Sequence, residues 1–172
     1  MTKVYFSLGS NEGDRLHSLV EATKLIDSVI GKVMQYSPVI DTEPWGFDAE
    51  TSFYNMAIEV ESDFTPHEIL NKILDIEKSL GRIRHGKTYT NRIIDIDILF
   101  YGKEMIKDFT LTIPHPLLHK RMFVLQPLAA IAPDLIHPVL HASVAELLLR
   151  SDETCTISVA VEKEEFACLL GR

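Results

Sequence analysis

Cysteine is nearly absent. Cys155 and Cys168 are the only two in 172 residues, too few for a disulfide framework and outside any Cys/His spacing that binds zinc, so a reducing cytosol is the expected compartment. Long apolar runs are missing too. The N-terminal MTKVYFSLGSNEGD enters a strand pattern directly, without the apolar stretch of a secretion signal, and no later segment reads as a membrane span. A cytoplasmic protein with no membrane partner is expected. Basic residues are in the minority: 17 Lys and Arg against 25 Asp and Glu give a net charge of -8. That argues against a broad surface for nucleic acid or anionic lipid, and any phosphate site must be local. Repeats and low-complexity segments are also lacking, while 46% hydrophobic residues suffice for a core, so 1–172 reads as a single domain, expected to be monomeric.

Val4, Phe6 and Leu8 alternate with Lys3, Tyr5 and Ser7, which predicts a strand ended by GSNEGD. Leu16, Leu19, Val20, Thr23 and Ile26 then recur at helical spacing, with Gly31 as the stop. KVMQYSPVIDT predicts a second, irregular strand, and the polar EPWGFDAETS after it is a loop of the kind that carries function. In FYNMAIEVE, Tyr54, Met56, Ile58 and Val60 share one side of a third strand and Phe53, Asn55 and Ala57 the other. Thr65, Pro66 and Glu68 form a capping box for a helix whose apolar stripe is Ile69, Leu70, Ile73, Leu74 and Leu80. TNRIIDIDILFYG, residues 90–102, completes a β-α-β-β-α-β order, the ferredoxin-like arrangement of an α/β (α+β) fold. Additional C-terminal helices are expected around 121–130 and 143–150; the tail beyond, to 172, alternates only weakly.

Aspartate is depleted in strands, so Asp95 and Asp97 inside an Ile-rich run need a reason. Residues two apart share a face, roughly 7 Å apart along the strand, while Ile94, Ile96, Ile98 and Phe100 would fill the opposite face. Two such carboxylates suit a hard cation between them, Mg²⁺ above all; a solvated strand face is the plainer alternative. Upstream, Arg82, Arg84, Lys87 and Arg92 fall within eleven residues that contain no acid. Arginine forks match phosphate oxygens, and a cationic loop leading into a di-carboxylate strand fits a triphosphate with its metal.

Gly81 through Thr88, GRIRHGKT, matches the P-loop pattern, yet a P-loop follows a strand and opens a helix, and here a helix precedes and a strand follows. The match reads as a coincidence of spacing. Phe53 and Asn55 offer an aromatic plate and an amide suited to the edge of a flat heterocycle, or simply cover a sheet face; Trp45 and Phe123 carry the same two readings. His115 and His119 have no ligand-type partner at helical spacing, and His115 reads as a phosphate contact or a turn residue. A ferredoxin-like sheet with surface aromatics also admits a single-stranded RNA-binding module, against which the net charge speaks.

Taken together, SLGSN, DTEPWG, FYNMA, EKSLGRIR, RIIDIDILFYG and IPHPLLHKRMFVLQPLAAIAP resemble the 6-hydroxymethyl-7,8-dihydropterin pyrophosphokinase family of folate biosynthesis, over about residues 3–138. Arg92 through Leu99 meet its signature R-x-x-D-[LIV]-D-[LIVM]-[LIVM]. The resemblance implies transfer of pyrophosphate from ATP to the pterin hydroxymethyl group, releasing AMP, with two Mg²⁺ ions at Asp95 and Asp97. It implies that Phe53 and Phe123 sandwich the pterin while Asn55 and the backbone near Thr42 and Trp45 read its edge. Arg82 and Arg92 would hold the transferring phosphates, Arg84, Lys87, Ile98, Thr112, His115 and Arg121 would contact ATP, and Glu77 would lie near its ribose. The loop from Arg82 to Arg92 is expected to close over ATP. Two departures from the family stand out: Thr88, Tyr89, Thr90 and Asn91 replace a basic, aromatic, small and proline series, and Leu74 stands where relatives can carry a polar nucleotide contact.

Overall fold

The computed structural model describes residues 1–43, 51–82, 91–152 and 155–172. Its elements are β1 (Thr2–Ser10), α1 (Arg15–Val29), β2 (Lys32–Tyr36), β3 (Val39–Thr42), β4 (Phe53–Ser62), α2 (Pro66–Ser79), β5 (Asp95–Tyr101), β6 (Ile106–Lys107) and β7 (Thr112–Ile113). A short 3-10 turn (Leu118–Lys120) leads into α3 (Met122–Ile131), β8 (Ile136–His137), β9 (Ala142–Ser143), α4 (Val144–Leu149), β10 (Ile157–Val161) and α5 (Lys163–Leu170). The main sheet runs β10-β3-β4-β1-β5, with β2 also on β4, and its neighbours pair antiparallel.

Alternation along the strands builds two cores. Val4, Phe6 and Leu8 join Met56, Ile58, Val60, Ile96 and Ile98 beneath the buried faces of α1 and α2. The α2 start is secured by its capping box, in which Glu68 Oε2 accepts the Thr65 N–H at 2.8 Å and Pro66 occupies the first turn. On the other face Tyr5, Ala57, Leu99 and Phe100 pack against α3 and α4 through Val124, Leu125, Leu128, Val144 and Leu147.

Three expectations change. KVMQYSPVIDT is two strands, because Pro38 has no N–H for the ladder and the chain breaks at Ser37. Both halves pair with β4, and Ser37 bridges the gap: its N–H donates to the Ala57 carbonyl at 2.9 Å and its Oγ accepts the Ala57 N–H at 3.0 Å. Phe100 does not share the face of Ile96 and Ile98. The β1–β5 register shifts between Tyr5 and Phe6, which face Phe100 and Ile98, so Leu99 is an extra residue and Phe100 moves into the α3 core. The tail is also structural: β10 extends the sheet along β3, and Phe166 of α5 is fully buried with its ring 5.7 Å from that of Tyr36.

Gly31 ends α1, but not through a left-handed backbone. Glycine is required there by close approach, since a Cβ would lie 2.2 Å from the Glu61 carbonyl oxygen at the end of β4. Gly31→Ala is therefore expected to cost about 2 kcal/mol or more in urea unfolding; an unchanged midpoint would show that α1 and β4 do not meet so closely.

Candidate active site

The α3 face of the sheet changes character along its length. Moving up β1, Tyr5 gives way to Ser7 and Gly9; on β4, Ala57 gives way to Asn55 and Phe53; on β5, Phe100 gives way to Asp97 and Asp95. Loss of bulk opens a cavity of about 60 Å³ lined by Ser7, Gly9, Thr42, Glu43, Phe53, Asn55, Arg92, Asp95, Asp97, Arg121 and Phe123. The two aspartates thus share a side, as the period-two spacing predicts.

Asn55 is buried and donates through Nδ2 to Thr42 Oγ1 at 2.7 Å, which orients its amide. Its Oδ1 lies over Gly9, where a Cβ would come within 2.8 Å of it. The Phe53 and Phe123 side chains both line this cavity, from β4 and α3. Arg121 precedes α3, with its guanidinium 5.7 Å from the centroid of the Phe123 ring.

Charge alternates across the floor. Glu77 Oε1 accepts a bond from Arg82 and the Ile96 N–H at 2.9 Å; Arg82 also bonds Asp95 Oδ1, and Arg92 bonds Asp95 Oδ2. Glu77, expected near a ribose, is 1% exposed and pairs with Arg82. Asp97, with 38% of its side chain open, sits beside this row. Partial removal from water and then the Asp95 charge push its carboxyl up to about 7, against the pull of Arg121 and Arg92.

A second, wider groove of about 640 Å³ runs between α2 and β7, lined by His67, Leu70, Asn71, Leu74, Ile96, Asp97, Ile98, Thr110, Thr112, His115 and neighbours. Leu74, assigned to the buried stripe by its spacing, looks onto this groove. Thr112, His115 and Ile98 come together here, and Asp97 belongs to both openings. His115 Nδ1 accepts the Leu117 N–H at 3.2 Å, so in the neutral ring Nε2 carries the proton, 4.0 Å from Asp97 Oδ2. Burial and the nearby Arg121 hold the His115 pKa down to about 4. Among the described residues no three His, Cys, Asp or Glu side chains form a metal cage.

Trp45, Arg84 and Lys87 lie outside the described residues, as do most of the 82–92 loop and the GKT of the P-loop match. That match begins at Gly81, which follows α2 and not a strand. Ser7, Gly9 and Glu43 line the cavity without belonging to any charged or aromatic motif; the readable signal for the first two is the run of small residues after Tyr5 on one strand face.

Comparison with known proteins adds to this geometry. The family model described as 7,8-dihydro-6-hydroxymethylpterin-pyrophosphokinase (HPPK) matches residues 5–133. The 2-amino-4-hydroxy-6-hydroxymethyldihydropteridine pyrophosphokinase of Aquifex aeolicus is 37% identical over 146 residues, covering 85% of this chain and 90% of that protein. Its namesake in Methylorubrum extorquens is 40% identical over 137 residues, covering 79% and 86%. The folic acid synthesis protein FOL1 of Dictyostelium discoideum is 38% identical over 148 residues, of which this chain spans only 22% of the length. In three dimensions a Plasmodium falciparum HPPK-DHPS has a similar fold, with a TM-score of 0.72 at 17% identity, covering 87% of this chain and 43% of that one. With the matched region running from β1 past the end of α3 and holding every residue that lines the cavity and the groove, the chain belongs to the 7,8-dihydro-6-hydroxymethylpterin-pyrophosphokinase family.

Proposed function

We propose that this chain, acting as one cytoplasmic domain and as a monomer, transfers pyrophosphate from ATP to the hydroxymethyl group of 6-hydroxymethyl-7,8-dihydropterin and releases AMP. The observation that carries this reading is the position of Asp97, which lines both a small aromatic-walled cavity and a wider groove. A flat ring in the first and a nucleotide in the second meet at the carboxylates. The central strand order β5-β1-β4-β2 with its two crossing helices fits the ferredoxin-like unit, extended here by β3 and β10.

Two Mg²⁺ ions suit Asp95 and Asp97. The pair supplies hard oxygen donors on one sheet face and no closed cage, which fits a cation that keeps waters and shares substrate phosphate oxygens. Bound there, the cation supplies charge neutralisation and polarises the transferring phosphorus. Arg82 and Arg92 both engage Asp95. A new partner for that carboxylate frees both forks to complement phosphate charge in an in-line transfer. His115, neutral near pH 7, offers its Nε2–H to a phosphate oxygen. Thr112 and Ile98 line the nucleotide groove, Arg121 reaches the phosphates from the neighbouring cavity, and Arg84 and Lys87 are further cations; Glu77 acts by holding Arg82. Phe53 and Phe123 flank the pterin, Asn55 reads its edge, and Thr42 and Trp45 border the same end. A P-loop kinase would release ADP instead of AMP, and an RNA-binding face would not carry Asp95 and Asp97.

Incubation with ATP, Mg²⁺ and the hydroxymethyl-dihydropterin is expected to yield AMP in step with pterin consumption; ADP as the product would refute the assignment. Asp95→Ala and Asp97→Ala should each keep the wild-type circular dichroism while lowering kcat about a hundredfold or more, and full turnover by either would remove it from the mechanism. Gly9→Ala is expected to displace Asn55 and raise the pterin KM about tenfold, with the ATP KM nearly unchanged; an equal effect on both would mean the cavity is not the ring site. The raised Asp97 pKa gives the metal-free native state an extra proton between its ordinary value of 3.8 and about 7, so stability falls as pH rises through that window and levels above it. In EDTA, thermal midpoints between pH 5 and 7.5 should fall less in Asp97→Asn than in the wild type, and identical slopes would contradict the raised carboxyl pKa.

A further inference from the structure

Asn11, just past the end of β1, is 1% exposed and is not among the residues lining the cavity or the groove. All four of its hydrogen-bonding groups are engaged. Its backbone N–H donates to the Arg92 carbonyl at 3.0 Å, and its Oδ1 accepts the Arg92 N–H at 2.7 Å. Its Nδ2 donates to Asn91 Oδ1 at 2.9 Å, and its carbonyl accepts Thr51 Oγ1 at 2.6 Å. Because Oδ1 faces a backbone donor, the amide has one allowed orientation, and no other side chain of this length supplies both the acceptor and the donor. The backbone of Arg92 is thereby held on both its N–H and its C=O, and its guanidinium falls on Asp95 Oδ2. Thr51 lies two residues before Phe53 of the aromatic wall. A second tie reinforces that side: Arg15 Nη1 donates to the Ser52 carbonyl at 2.9 Å and to its Oγ at 2.8 Å, with the guanidinium 3.8 Å over the Tyr54 ring.

We propose that Asn11 is a positioning residue: one buried amide and its backbone fix Arg92 and tie the segment entering β5 to the segment entering β4, so that phosphate and ring ends share one frame. The inference rests on the pyrophosphokinase reading for the role of Arg92. A group that acts by aiming another affects the rate through that other group, since a displacement of about 1 Å can cost on the order of a hundredfold in an oriented transfer.

Three measurements test it. Asn11→Ala is expected to lower kcat by roughly ten- to a hundredfold, with the KM values for ATP and pterin changed less than about threefold. Combined with Arg92→Ala, it should add almost nothing to the loss caused by Arg92→Ala alone, whereas independent action gives multiplied losses. Without any turnover, hydrogen exchange at the Arg92 amide should quicken about tenfold or more in Asn11→Ala while the Phe6 amide in β1 keeps its protection; a general loss of stability moves both. Should Asn11→Ala not fold, Asn91→Leu removes one partner at a more exposed position and should show the same pattern more weakly. Multiplicative losses, an unchanged kcat, or equal exchange at Arg92 in both proteins would overturn the role of Asn11. An inactive wild type with the exchange difference intact would instead overturn the pyrophosphokinase reading and leave the clamp standing.

Discussion

Asp95 carries a guanidinium on each of its oxygens, and that double engagement organises the site. Arg82 on one side leans on Glu77, whose buried carboxylate also takes the Ile96 N–H of β5. The row Glu77, Arg82, Asp95, Arg92 therefore joins α2, the strand and the segment leading into it. None of its members is dispensable without stranding a partly buried charge, which costs far more than a surface pair is worth. With these charges already balanced, a polyphosphate bound as proposed would gain Arg82 and Arg92 by exchange. On the proposed mechanism a divalent ion on the carboxylates and a phosphate on the arginines would satisfy one another's former partners.

The same sheet face serves two purposes, and side-chain size separates them. Tyr5, Ala57 and Phe100 fill the space beneath α3. One or two pleats further on, Ser7, Gly9 and Asn55 leave it open, so that helix α3, anchored by its core residues, arches over a hollow. Phe123 reaches the hollow from the helix. Rigidity at one end is what permits emptiness at the other, since interiors close-packed on one side resist collapse into a neighbouring void.

Features with a short repeat were legible in the chain. The common side of Asp95 and Asp97 follows from a period of two, and the α2 start from Thr65, Pro66 and Glu68. The paired Arg82 and Arg92 were visible as a cationic cluster, though their direct grip on Asp95 was not. What escaped depends on partners distant in sequence. Phe100 changes face because of a register shift against β1, which no local pattern encodes. Gly31 looked like an ordinary helix stop, but the reason for it is the Glu61 carbonyl opposite. Glu77 is an acid at a helical position until Ile96 and Arg82 are placed around it. Asn11 sits in a run of small and polar residues, and its meaning lies in Arg92 and Thr51.

The pairing of β10 with β3 places Ile157 opposite Thr42, and Thr42 orients Asn55. A strand far downstream in the sequence thus backs a residue of one cavity wall. Joining segments so far apart in sequence carries a chain-entropy cost that local contacts do not. The tail therefore bears on the cavity without lining it: loss of the β10 pairing would leave β3, and with it the Thr42 hydroxyl, on an open sheet edge.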